Sequence, residues 1–320
     1  MSTSAAAKAS AQVSAQVSAQ ASARASNTLL MTPESSPVTE SSPVTESSPV
    51  DGLEESRVIP YSTLRAFGAA VLKLKNDLDQ GRTRNQYLIV RNVDEDTMKH
   101  IEDRGYKGVH YEWHGDLELL IVKVPTRAHE TAAAEFATEI TVAAVAMGFP
   151  RTERRLLGAA TFQAAAGTPK KEADWSMIPR NVRPNPDDFP TIVIEVGFSE
   201  TLTKLRNDAR LWFSMSNNDV QIVILIAVRV ARNQIIFEKW IAGTPRRTTR
   251  HTPAQIPQAE QSITITRTPS TNALAITDGT APLTLEFRRL FLRPPVGQEH
   301  DIVYTQADLF AIGQAILSEA

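Results

Sequence analysis

The sequence predicts an α/β protein, on three observations: β-branched runs of strand length, apolar stripes at helical spacing between them, and turn residues at their junctions. The strands are easiest to see in TIVIEV (Thr191–Val196) and VQIVILIAV (Val220–Val228). The second is unbroken in its apolar character, which suits a strand covered on both faces and places it at the centre of a sheet.

In chain order, Pro60 to Gly81 repeats Leu64, Phe67, Val71, Leu74 and Leu78 every three or four residues and ends on a glycine, so it reads as a helix. QYLIVRNV and Leu117–Val124 (LELLIVKV) read as strands. The next segment puts Ala133, Phe136, Ile140, Ala144 and Met147 on one helical face, with Gly148 as its stop and Glu130 in its first turn. After TIVIEV comes a helix that Ser199 could cap, with Leu202, Leu205, Ala209 and Trp212 as its stripe and Lys204, Asp208 and Arg210 outside it. Gln234–Ile241, Ser262–Thr266 and Leu283–Phe287 read as shorter peripheral strands. A helix over Gln306–Leu317, with Leu309, Ile312, Ile316 and Leu317 inward, closes the chain.

The first 57 residues differ in kind. They contain AQVSAQVSAQASARAS and the repeat ESSPVT, a composition that cannot bury enough apolar surface to offset its ordering entropy. The expected organisation is a disordered tail over 1–57 and one domain over 58–320. Of the net charge of −2, the tail carries −3, from Lys8, Arg24 and Arg57 against Glu34, Glu40, Glu46, Asp51, Glu54 and Glu55, which leaves the remainder at +1. Near-neutrality gives no electrostatic case for a dedicated duplex binder. The local basic runs RTERR, Lys170–Lys171, RRTTRH and RRLFLR read as solvated surface. There is no cysteine, hence no disulfide or thiolate site. No apolar stretch reaches membrane-spanning length and no secretory signal is evident, so a soluble intracellular protein of cytoplasm or nucleus is expected.

Two acids stand out because they interrupt apolar surroundings. Glu195 sits inside a β-branched strand, and Asp174 follows KKEA just before WSMIP. A buried carboxylate is costly unless it is paired, hydrogen-bonded or bound to a cation. Two carboxylates about 4 Å apart repel by about 4 kcal/mol at an effective dielectric near 20, which a divalent ion would relieve.

These residues together resemble the PD-(D/E)XK nuclease-like superfamily, and most of all its uncharacterised fungal members. The features carrying the resemblance are His129–Glu130, Lys171 with Asp174, Trp175 and Pro179, Glu195 to Ser199, and Leu205, Asp208 and Trp212. The resemblance spans roughly Leu117 to Trp240. It implies a restriction-endonuclease-like core, a central mixed sheet flanked by helices, in which Asp174, Glu195 and Glu130 would hold Mg²⁺ or Mn²⁺ for hydrolysis of nucleic acid. Two positions depart from the pattern: Gly197 stands where a lysine is expected, and Ala173 where a proline is. The helical lysine of bacterial relatives aligns with Ala209. Lys204 or Lys171, or else Arg206 or Arg210, would have to supply the missing amine or guanidinium. The alternative is a catalytically inactive nuclease-fold interaction module, which Gly197 favours. Residue by residue, Glu130 could equally be a first-turn acid favoured by the helix dipole, His129 an orienting or core histidine, and Trp175 and Trp212 core packing. A single glycine in IEVGFSE is a poor match to a dinucleotide loop.

Overall fold

The polypeptide folds into mixed β-sheets flanked by helices. A computed structural model describes residues 48–198, 202–243 and 256–320, all within the unit Glu46–Ala320. Most of the expected tail, the basic run Arg246–His251 and the capping residue Ser199 lie outside the described residues.

Among the described residues one sheet has seven strands, in the order β13 (Leu274–Asp278), β12 (Gln258–Arg267), β11 (Gln234–Ile241), β10 (Ile222–Arg229), β9 (Ile192–Phe198), β8 (Trp175–Pro179) and β5 (Arg154–Leu156). β10 is its middle strand, as the unbroken apolar run predicts. β9 and β10 run parallel, joined by α4 (Leu202–Met215), and the other pairings are antiparallel. This is the mixed central sheet the sequence leads one to expect.

A second sheet, which the sequence does not announce, has six strands in the order β1 (Arg57–Pro60), β2 (Tyr87–Arg91), β4 (Leu119–Lys123), β3 (His110–His114), β7 (Lys170–Glu172) and β6 (Thr161–Gln163). The chain passes from one sheet to the other across Ala173 and Asp174: β7 pairs with β3, and β8, which follows at once, pairs with β9. β14 (Leu283–Leu285) and β15 (Ile302–Tyr304) form a separate pair.

The helices cover the faces left by this arrangement. α1 (Leu64–Asp79) starts at Thr63, whose hydroxyl accepts the Ala66 N–H, and packs Phe67 and Val71 with α2 (Glu95–Arg104) onto one face of the six-stranded sheet. α3 (Arg127–Ala146) buries Ala133, Phe136, Ile140 and Ala144 against Ile192, Ile194, Ile222 and Ile224, together with α6 (Gln306–Ser318), which a capping box at Thr305 and Asp308 opens. α4 lays Leu205, Ala209 and Trp212 on the opposite face, against Val193, Val223 and Leu225.

Two boundaries differ from expectation. The run read as a strand over Leu283–Phe287 ends at Leu285, because Phe287, Leu290 and Phe291 lie at helical spacing and are all buried in α5 (Phe287–Phe291). The folded body also reaches back into the positions assigned to the tail: Leu53 is buried among Tyr87, Ile89, Leu119 and Ile121, and Arg57 begins β1.

Candidate functional site

β-Strand alternation sets one face of the six-stranded sheet apart from the apolar one. In β3, Trp113 packs with the helices while His110, Glu112 and His114 point the other way. Register places Lys123 of β4 opposite His110, and Lys171 of β7 opposite Glu112. This charged face meets Asp174, Glu195 and the inner side of α4, so the polar groups are buried between the two sheets. Glu112, Lys123, Lys171, Lys204 and Asp208 are all nearly inaccessible to solvent, and Glu195 is 1% exposed.

Asp174 sits at the switch between sheets and accepts from four groups. Lys123 Nζ (2.7 Å), the Val196 N–H (2.7 Å) and His129 Nε2 (3.0 Å) converge on Oδ2, and His110 Nδ1 lies 2.8 Å from Oδ1. Burial raises the pKa of this carboxyl, but His129, Lys123 and the imidazole hydrogen bonds outweigh it and hold Asp174 well below the usual carboxylate range. Burial lowers the pKa of His129 against the opposing pull of Asp174; Nε2 faces Asp174, and Nδ1 is left without a hydrogen bond among the described residues.

Glu195 lies on the α4 side of β9 and accepts the Trp212 indole N–H at 2.6 Å. Lys171 Nζ stands 3.7 Å from one of its oxygens and Lys123 Nζ 4.0 Å from the other. Burial pushes its pKa up to about 8; Lys171 and Lys123 pull against this, while Asp174 and Asp208 add to it.

Beside it is a four-membered ring of ion pairs. Lys171 and Lys204 each bridge Glu112 (2.7 and 2.8 Å) and Asp208 (3.1 and 2.7 Å). Burial lowers the pKa of both amines, but the surrounding carboxylates reverse this and raise Lys171 well above its ordinary value and Lys204 above it. Burial likewise opposes the charge of Glu112, yet Lys171 and Lys204 hold it well below, whereas Asp208 is raised by its burial. With Glu195 protonated, three carboxyl groups (Glu112, Asp174 and Asp208) face three ammonium groups. A narrow cleft of about 10 Å³, room for about one water, reaches this cluster past His110, Lys123 and Glu195.

The structure thus brings together Asp174, Glu195, Lys171 and Lys204 of the residues singled out in the sequence, with His129, Asp208 and Trp212 against them. The ion pairs of Lys204 are with Glu112 and Asp208, and Lys171 is the amine nearest Glu195. Glu130 is the exception. Its side chain is 62% exposed and its near neighbour is His129 at 4.0 Å, because α3 turns His129, one position earlier, into the site. Glu130 is therefore not part of this cluster. Sequence reasoning does not pick out His110, Glu112 or Lys123, and it places Asp208 outside the buried stripe of its helix. The alternation in HYEWH and the four-residue spacing of Lys204 and Asp208 are the signals that mark them.

The arrangement does not fit the divalent ion that the resemblance implies. Asp174 already accepts four donors, and the Lys123 ammonium lies between the two carboxyl groups a metal would need. Glu130 faces away. Among the described residues no group of three or more His, Asp or Glu side chains could hold a metal ion.

No family model matches the chain, and no curated protein matches it. Among solved structures it is similar to a candidate nuclease belonging to DUF820 from Anabaena variabilis, with 14% identity, a TM-score of 0.30, and coverage of 46% of this chain and 74% of that one. Among the described residues no helix is long and apolar enough to cross a membrane.

Proposed function

We propose that this chain is a nuclease-type α/β domain of the PD-(D/E)XK kind that works as an interaction module, with Asp174 of its acidic pair balanced from within by lysine. The observation that carries this reading is the Lys123 ammonium, 2.7 Å from Asp174 and 4.0 Å from Glu195. Hard cations bind carboxylate oxygens at about 2.0–2.6 Å, so one ion could not reach both acids without displacing this amine. The near-neutral charge of the residues after 57 suits a protein partner better than duplex nucleic acid.

A second reading is a Mg²⁺- or Mn²⁺-dependent phosphodiester hydrolase acting on nucleic acid. What favours it is that Asp174 and Glu195, distant in sequence, converge on one amine, and that the Glu195 carboxyl is held near 8 in a cleft. Both readings are tested by incubating the purified protein with single- and double-stranded DNA and RNA in Mg²⁺ or Mn²⁺, beside Asp174→Asn and Glu195→Gln. The interaction-module reading expects no cleavage by any of the three proteins. Cleavage by the unmodified chain that both substitutions abolish would establish the hydrolase.

A further inference from the structure

We infer that Lys123 is a built-in counter-ion standing where a divalent cation would otherwise bind, so that the Asp174–Glu195 pair is a latent cation site closed by one amino group. This rests on the nuclease-type reading of the pair and adds that removal of this one amine opens the pair to a divalent cation.

Three oxygens from the seven-stranded sheet and its entry point surround the Lys123 ammonium: Asp174 Oδ2 at 2.7 Å, the Val196 carbonyl at 2.6 Å and Glu195 Oε2 at 4.0 Å. Two carboxyl side chains and a carbonyl make up the all-oxygen kind of set that hard divalent cations take, Glu195 giving up its proton on binding. The lysine does not come from that sheet. It is the last residue of β4, on the charged face of the other sheet, and its amine reaches across to meet them. Its surroundings are nearly closed to solvent, with Lys123 9% and Asp174 1% exposed at the side chain. An amine so placed gives Asp174 a partner that cannot dissociate into solvent as a free ion can. It also occupies the space where an ion would contact both acids. Removing the amine while keeping the backbone leaves those three oxygens converging on an emptied centre, with Asp174 held only by its two imidazoles and the Val196 N–H.

Mn²⁺ is the probe, and binding is the readout. Thermal melting and calorimetric titration with MnCl₂ are compared for the full chain, Lys123→Met, Lys123→Ala, and Lys123→Ala combined with Asp174→Asn. Methionine keeps the bulk of the aliphatic stem, so at least one single variant retains the packing around the site. The inference expects no Mn²⁺-dependent shift in the unmodified chain. It expects both single variants to melt lower in metal-free buffer and the alanine variant to gain about 5 °C or more when Mn²⁺ is about 100-fold above its dissociation constant. The double variant should lose that gain. Mn²⁺ binding by the unmodified chain that Asp174→Asn abolishes would overturn the inference. So would an alanine variant that neither binds Mn²⁺ nor recovers its fold in it. Because cleavage is not measured, an inactive chain whose alanine variant ignores Mn²⁺ overturns this inference alone and leaves the interaction-module reading standing.

Discussion

Glu195→Gln should change the pH dependence of stability more than its magnitude at mild acid pH. In the folded chain Glu195 keeps its proton up to about 8, against an ordinary value of 4.5 once unfolded. Between those two values the native state therefore holds a proton that the unfolded state has released, and stability falls as pH rises. The group's contribution is complete below 4.5 and has been lost once pH passes about 8. The slope for one such group is about 1.4 kcal/mol per pH unit, which sets a ceiling of roughly 5 kcal/mol across the whole interval. Glutamine has nearly the same shape, cannot ionise, and still offers an oxygen to the Trp212 indole. Urea unfolding of both proteins from about pH 5.5 to about pH 8 should show the Glu195→Gln chain gaining about 3 kcal/mol relative to the unmodified one. Asp208, Glu172 and His110, also shifted upward, are present in both proteins, so the difference reports Glu195. A difference that stays flat within about 0.5 kcal/mol would refute the claim that this carboxyl is protonated at neutral pH.

Other substitutions read the same cluster from different sides. Trp212→Phe removes the N–H donated to Glu195 and should cost about 1–3 kcal/mol by chemical denaturation, with the larger loss above the Glu195 pKa, where the acceptor is ionised. Lys204→Met leaves Lys171 as the one ammonium shared by Glu112 and Asp208, with His114 still on Glu112, and should cost about 3–5 kcal/mol; a double-mutant cycle with Asp208→Asn should recover part of that loss, and strict additivity would contradict the ring of ion pairs. Glu130→Gln should leave stability within about 0.5 kcal/mol, since the side chain is mostly exposed; a loss of several kcal/mol would return Glu130 to the site.

The elements that bury a continuous apolar stripe are legible in the sequence. α3, α4 and α6 follow their 3.6-residue repeat, and β9 and β10 announce themselves by β-branched runs. Asp174 and Glu195 are legible for the converse reason, because charge inside an apolar run demands a partner. What escapes is polarity that is buried. α2 has only Met98 and Ile101 inward, and β3 turns its charged residues toward the interior of the molecule, so the rule that polar means exposed hides both. Lys204 and Asp208 fall outside the apolar stripe of α4 for the same reason, although they are as buried as the stripe itself. Helix phase does carry the correction at Glu130: His129 is in register with Ala133, Phe136 and Ile140, and its neighbour is rotated by about 100° away from them. The passage between sheets at Ala173 and Asp174 carries no glycine or proline to mark it, so a second sheet is not visible in the pattern.

Diffraction from crystals grown with Mn²⁺, with data collected to locate the metal by its anomalous signal, bears most directly on how the acidic pair is balanced. The account expects no manganese peak at coordination distance from Asp174 and Glu195, and the Lys123 ammonium in place between them. A manganese ion bound by both carboxylates, with Lys123 swung aside, would contradict it.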